Sequence, residues 1–229
     1  MTARDLLPLV DRMRGVRVLV AGDLIVDEYV YCTAERISRE APVPIAREER
    51  REYHIGGAGN VALNVAALGG TCAFAGIEGV DDAGKHCAEV LRKAGVARHE
   101  PPWRGFLPTK TRYMVGAPGA PAQQVLRVDL DRTYTVRGDE LGFYVAREAL
   151  RFRAAAVIVS DYGLLPWPAA VTAARLEAPV FVDSRTRIGE YRNVAALKPN
   201  EDELRAAWPF DPAELPGVAA TLAASGLGT

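Results

Sequence analysis

Apolar residues fall into two textures along the chain. Val16 to Ala21, Cys72 to Ile77, Ala155 to Ser160 and Val180 to Val182 are short continuous apolar runs, and Ala195 to Leu197 is a shorter one. Such runs predict strands buried on both faces. Between them, residues 5–14, Asp81 to Ala94, Asp139 to Arg151, Ala169 to Leu176, Asn200 to Trp208 and Ala213 to Ala224 read as helices. Asn60 to Leu68 reads as a small-residue helix closed by Gly69–Gly70. Strands alternating with helices imply right-handed crossovers and a mainly parallel sheet covered on both faces, an α/β architecture.

Two stretches depart from this rhythm. Tyr29–Tyr31, Val43–Ala46 and Arg51–Ile55 are short β-type pieces set among Pro42, Pro44 and many charges. Lys110–Val115 and Gln124–Val128 flank a Gly/Pro turn at Gly116–Pro121. Alternation with proline predicts exposed strands, not core. These insertions, near 29–55 and 108–131, are expected to pair as a small β lid over one sheet edge. No repeat or long linker interrupts residues 1–229, which read as one domain carrying that lid.

Composition narrows the function classes. The 229 residues hold 28 basic and 29 acidic side chains, a net charge of −1, which argues against a strongly basic nucleic-acid binder. The three cysteines lack C-x-x-C spacing, against a disulfide scaffold and for a reducing compartment. His86–Cys87 lacks the spaced pairs of a zinc site and reads as structural. No segment approaches the ~18 apolar residues of a membrane span, and the first twenty residues include acids. A soluble, cytoplasmic protein with no membrane or nucleic-acid partner is the expectation.

Chemistry is expected beyond the carboxyl ends of the parallel strands. Gly22, Asp23 and Asp27 follow the first strand. Two carboxylates there can accept hydrogen bonds from a polyhydroxylated ligand; equally, Asp23 can shape a turn while Asp27 is solvated. Gly56-Gly57-Ala58-Gly59-Asn60 precedes a helix, allowing close backbone approach to a ligand with free N–H groups at the helix start. It also suits a hinge between lid and core. Gly57, Gly59 and Ala62 spell the weak dinucleotide pattern G-x-G-x-x-A, but Arg50–His54 before it is too charged for a central strand. Gly79 to Lys85 has P-loop spacing, yet His86 stands where Ser or Thr should hold magnesium, and Asp81 and Asp82 repel phosphate; both acids read as helix-start residues. Lys198-Pro199-Asn200-Glu201-Asp202-Glu203 fits a capping box of Asn200 with Glu203. It fits equally a pair that orients magnesium and its waters near nucleotide phosphates.

Taken together, these residues resemble the ribokinase-like (PfkB) carbohydrate kinases. Gly56–Gly69 followed by Gly79 satisfies that family's first signature. The ordered pieces Gly22–Asp27, Arg36–Pro44, Gly56–Asn60, Thr109–Arg112, Leu126–Asp129, Ser160–Gly163 and Lys198–Glu203 are similar to the heptose 7-phosphate kinases within it. The resemblance implies a Rossmann-like ribokinase fold with a lid that often makes a dimer contact. It also implies ATP- and magnesium-dependent phosphoryl transfer to a sugar or sugar phosphate. Residues expected at the sugar are Asp23, Asp27, Gly56, Gly57, Asn60 and Asp161; Asn200 and Glu203 are expected at nucleotide and magnesium.

The sequence departs from the family pattern in three places. Its second signature, a Gly-Ala-Gly-Asp loop with the general base, is absent, so no catalytic residue is assigned and the fold is expected to be C-terminally truncated. Leu164–Leu165 replaces the usual Lys-Gly after Gly163, and Ser184–Arg185 replaces Pro-Lys after Asp183. A sugar kinase of heptose 7-phosphate type is the first expectation. A non-catalytic sugar-phosphate-binding relative, or a subunit needing a separate C-terminal partner or a continuation, is the second. A nucleotide-dependent (NAD) oxidoreductase is the third.

Overall fold

A computed structural model describes residues 3–98, 101–117 and 119–208. The chain opens with α1 (Ala3–Met13) and β1 (Arg17–Gly22), then turns directly into two long strands, β2 (Leu24–Ile37) and β3 (Pro44–Gly56). It continues through α2 (Gly57–Ala67), β4 (Thr71–Ala75), β5 (Glu78–Gly79), α3 (Asp82–Lys93), β6 (Ala97–Arg98) and β7 (Arg104–Gly105). A hairpin of β8 (Thr109–Gly116) and β9 (Gln123–Leu130) follows. The described chain ends with α4 (Gly138–Phe152), β10 (Ala156–Asp161), α5 (Trp167–Ala174), β11 (Val180–Ser184), β12 (Ala196–Leu197) and α6 (Glu201–Ala207).

The continuous apolar runs form the central sheet, ordered β12-β11-β10-β1-β4-β6 with every pairing parallel. Leu19, Val20, Ala21, Val157 and Val159 are fully buried in it. The connection leaves β1 toward β4 and later returns to its other side at β10. The carboxyl end of β1, at Gly22–Asp23, is therefore the switch point of the sheet, where ligands of open α/β folds bind.

The lid is a second sheet, ordered β3-β2-β8-β9. β2 pairs antiparallel with β3 and parallel with β8, and β8 pairs antiparallel with β9. Because side chains alternate along a strand, the register sorts its faces. Asp27, Tyr29, Lys110, Arg112, Arg127 and Asp129 share one face; Val30, Tyr113, Leu126, Val128 and Leu130 share the other.

The insertions expected near 29–55 and 108–131 thus form the lid, with strands longer than the apolar pieces suggested. Ladder hydrogen bonds carry β2 and β3 through the charged run Arg47–Arg51, where no apolar signal marks a strand. The expected helix over Ala213 to Ala224 lies outside the described residues.

Candidate functional site

The hinge between core and lid is built on Asp23. Its backbone N–H donates to Ser160 O at 3.0 Å, and its carbonyl accepts from Ala58 N at 2.9 Å, joining β10, β1 and α2. Its carboxylate is 2% exposed. Oδ2 accepts from Tyr162 N (2.8 Å) and Leu164 N (3.1 Å), and Oδ1 accepts from Trp167 Nε1 (2.7 Å). Burial pushes its pKa up to about 6, against the hydrogen bonds from Trp167, Leu164 and Tyr162. Gly57 turns the chain here at φ +54°, and a Cβ at that position would collide with Asp23 O.

Asp161, one strand away, is also enclosed. Oδ1 accepts from Gly163 N at 2.8 Å and from Arg187 Nη2 at 2.5 Å. Oδ2 accepts from the hydroxyls of Ser184 (2.9 Å) and Tyr191 (2.8 Å). Burial pushes the Tyr191 phenol far up, and the neighbouring Asp161 charge adds to this. Sequence reading placed Asp23 and Asp161 among groups touching a sugar; in the fold both are buried and their oxygens accept from the protein's own donors.

Asp27 stands differently. Its side chain is 28% exposed on the charged face of the lid, and Oδ1 accepts from Arg112 Nη1 at 2.6 Å. Oδ2 borders Gly56, where an added Cβ would lie 2.7 Å from it. Glycine is what lets the backbone pass this carboxylate. Arg112 also lies 5.2 Å over the Tyr29 ring. Lys110 is the register partner of Asp27 and sits 5.9 Å from the Tyr162 ring. Beyond Arg112 on β9, Arg127 holds Asp129 at 2.6 Å. Asn60, in the first turn of α2, is exposed, so its amide is presented outward.

Asn200 and Glu203 close a reciprocal capping box on α6. Asn200 Oδ1 accepts from Glu203 N at 2.8 Å, and Glu203 Oε2 accepts from Asn200 N at 2.8 Å. Tyr162 lies near the lid, with Lys110 at 5.9 Å from its ring. Burial pushes its phenol up, and the charges of Asp183, Asp27 and Glu203 push the same way while Arg185 opposes them.

The box leaves Glu203 Oε1 uncommitted beside Glu201 and Asp202. Magnesium keeps several waters and takes one or two carboxylates beside substrate phosphates; Glu201 is already paired with Arg205 at 2.5 Å, so Glu203 and Asp202 are the carboxylates that would face such a hydrated ion. No group of three His, Cys, Asp or Glu that could hold a metal ion forms among the described residues.

Sequence reasoning assigned no role to Lys110, Arg112 or Arg127, though Thr109–Arg112 and Leu126–Asp129 drew notice; strand pairing alone reveals that they face Asp27. It also missed Arg187 and Tyr191, which reach Asp161 from an irregular segment that no periodicity marks. The G-x-G-x-x-A pattern follows β3, an antiparallel lid strand, and not the parallel strand that a dinucleotide fold requires.

Residues 17–115 match the pfkB family of carbohydrate kinases. The bifunctional protein HldE of Halorhodospira halophila is 39% identical over 205 residues, which make up 87% of this chain and 42% of that protein. The chain therefore spans about two fifths of the length of the curated relatives it matches. Among solved structures, phosphofructokinase-2 from Escherichia coli in complex with fructose-6-phosphate superposes with a TM-score of 0.64 at 19% identity, covering 93% of this chain and 71% of that one. Arabidopsis thaliana ribokinase complexed with ribose and ATP gives 0.60 at 18% identity, covering 93% and 70%. At that level of identity the solved structures establish a shared ribokinase-like fold.

Proposed function

The chain carries a domain of the pfkB family of carbohydrate kinases, and from that premise we propose that it serves ATP-dependent phosphoryl transfer to a hydroxyl of a sugar phosphate of heptose 7-phosphate type. The observation that carries this reading is the half-buried Asp27–Arg112 pair at 2.6 Å beneath the lid. A carboxylate that can accept hydrogen bonds from sugar hydroxyls lies beside a guanidinium suited to bidentate phosphate recognition. Lys110 adds a second cation on the same face. A fold neighbour described with fructose-6-phosphate supports a sugar phosphate as acceptor.

This chain's residues bind and orient. Asp27 and Asn60 hold hydroxyls, and Gly56 and Gly57 admit the sugar close to the backbone. Arg112 and Lys110 hold its phosphate. Asp23 and Asp161 fix the loops under it. Asn200 and Glu203 keep a carboxylate near hydrated magnesium. ATP, when bound, supplies the phosphoryl group; positioning and charge neutralisation are what the protein contributes to such transfers.

Calorimetric titration of the protein with D-glycero-D-manno-heptose 7-phosphate tests the assignment. Asn60→Ala is expected to weaken binding about tenfold, the scale of one lost hydrogen-bonding group, with unfolding unchanged because the side chain is exposed. Arg112→Gln is expected to remove most of the preference for heptose 7-phosphate over unphosphorylated heptose. Affinities unchanged in both variants would end this reading.

We further propose that two copies meet through the lid strands. Leu126, Val128 and Leu130 lie about half exposed in a row on the face opposite Asp27, where a second copy would cover them.

A further inference from the structure

The lid hairpin rises on two stems, the segment before β8 and the segment after β9. Tyr134 of the second stem donates its hydroxyl to Phe106 O of the first at 2.6 Å. Between the stems lies a cleft of about 460 Å³, within the size range of small-molecule sites. It shares no lining residue with Asp27, Asn60, Lys110 or Arg112. Tyr134 also lines the small hollow beside Asp23, together with Leu107, so it stands as the wall between cleft and hinge.

The lining gives the cleft a chemical character. The Arg132 guanidinium lies 5.3 Å over the Phe106 ring. Its Nε is buried with no hydrogen-bond partner. That atom is closed to solvent, so an anion in the cleft would meet the terminal nitrogens of the guanidinium, which pair with no carboxylate among the described residues. Phe106, 55% exposed at the rim, and Trp103, packed edge-on against Tyr144 at 5.6 Å, offer aromatic surface. Thr133 adds a hydroxyl to the lining. Arg104 is paired with Glu78 at 2.8 Å, so Arg132 supplies the net positive charge.

We infer that this cleft is a second ligand site, taking a small organic phosphate with a flat ring, its phosphate on Arg132 and its ring against Phe106 and Trp103. A bound molecule of this kind touches both stems at once and so favours one setting of the lid relative to the hinge. The inference does not rest on the sugar-phosphate reading.

Phenyl phosphate is the probe, because it has the ring and the phosphate but none of the hydroxyls of a sugar. Calorimetric titration of the protein is expected to show saturable binding. Arg132→Gln should weaken it about tenfold or more, the scale of a charge-assisted hydrogen bond. Phe106→Ala should weaken it about fivefold through loss of the stacking surface. Arg112→Gln should leave it unchanged. Phe106 is exposed, so its variant decides the matter if Arg132→Gln fails to fold by circular dichroism. Any of four results overturns the inference: no binding by the parent protein, affinity indifferent to Phe106→Ala and to a folded Arg132→Gln, loss in Arg112→Gln, or inorganic phosphate binding as tightly as phenyl phosphate. The third would send the probe to the lid's charged face, and the last would mean an adventitious ion only. Only the third outcome touches the sugar-phosphate reading, and it would support it; the others leave binding of heptose 7-phosphate unaffected.

Discussion

Asp23 sits under two opposed effects. Removal from water favours its neutral form, and three N–H donors favour its charged form. Burial wins, and the pKa rises from an ordinary 3.8 to about 6. The consequence for stability follows from proton linkage. Below pH ~4 the group is protonated in both folded and unfolded chains. Between pH ~4 and ~6 the folded chain holds a proton that the unfolded chain has released, so stability falls as pH rises through that window. The full loss, about 3 kcal/mol for about two pKa units, is reached above it. Asn at this position does not titrate. Its amide also turns an N–H toward donors that need an acceptor, so Asp23→Asn should be less stable by about 1–3 kcal/mol at low pH. Urea unfolding from pH 4 to 7 checks this: the parent's lead over the variant should shrink to nothing or reverse as pH rises. A constant difference would show that Asp23 titrates normally.

At the scale of the element, α6 opens on a box that caps the helix and that we propose also serves magnesium. Its box pairs each of Asn200 and Glu203 with the other's backbone N–H, satisfying helix-start donors. Glutamine at position 203 keeps an oxygen for the Asn200 N–H and removes the charge. Glu203→Gln should therefore move unfolding by no more than about 0.5 kcal/mol. The magnesium concentration needed for half-maximal nucleotide binding should rise about fivefold, the scale of one charge acting through water. An unchanged magnesium requirement would leave the box as a cap alone. The box was legible in the sequence because its spacing is local, as were β1 and β10, whose apolar runs admit one reading. The two-residue strands β5, β6 and β7 carry no periodicity and were not legible. Nor were the fates of Asp23 and Asp161: sequence places a carboxylate at a strand end, but tertiary packing decides whether water, ligand or a neighbouring N–H fills its lone pairs. Lys110 and Arg112 became candidate site residues only when pairing with β2 set them opposite Asp27 and Tyr29.

For the whole molecule, the apolar face of the lid packs on the core at Val26, Tyr53 and Ile55 and runs on, uncovered, to its far strand β9. Leu126, Val128 and Leu130 are 53%, 45% and 46% exposed, while Val30, two strands away on that face, is buried. Isolated exposed apolar residues are ordinary, whereas a contiguous row on one sheet face marks an interaction surface. The edge strand β9 is guarded by Arg127 and Asp129 on the opposite face, which makes open-ended strand addition unfavourable and leaves face-to-face contact between two lids as the means of cover. In the contact proposed above two like faces would meet, which would bring Val128 of one copy near Val128 of the other. Val128→Asp would bring two like charges together there and desolvate both. Sedimentation equilibrium should find the parent protein dimeric at micromolar concentration and the variant monomeric. The unfolding free energy of the variant, measured on monomer at high dilution, should match the parent within about 0.5 kcal/mol, because the position is exposed within one copy. A parent protein that stays monomeric at 100-fold higher concentration, or a variant that dimerises equally well, would remove the lid face from the assembly and leave its apolar row without a partner.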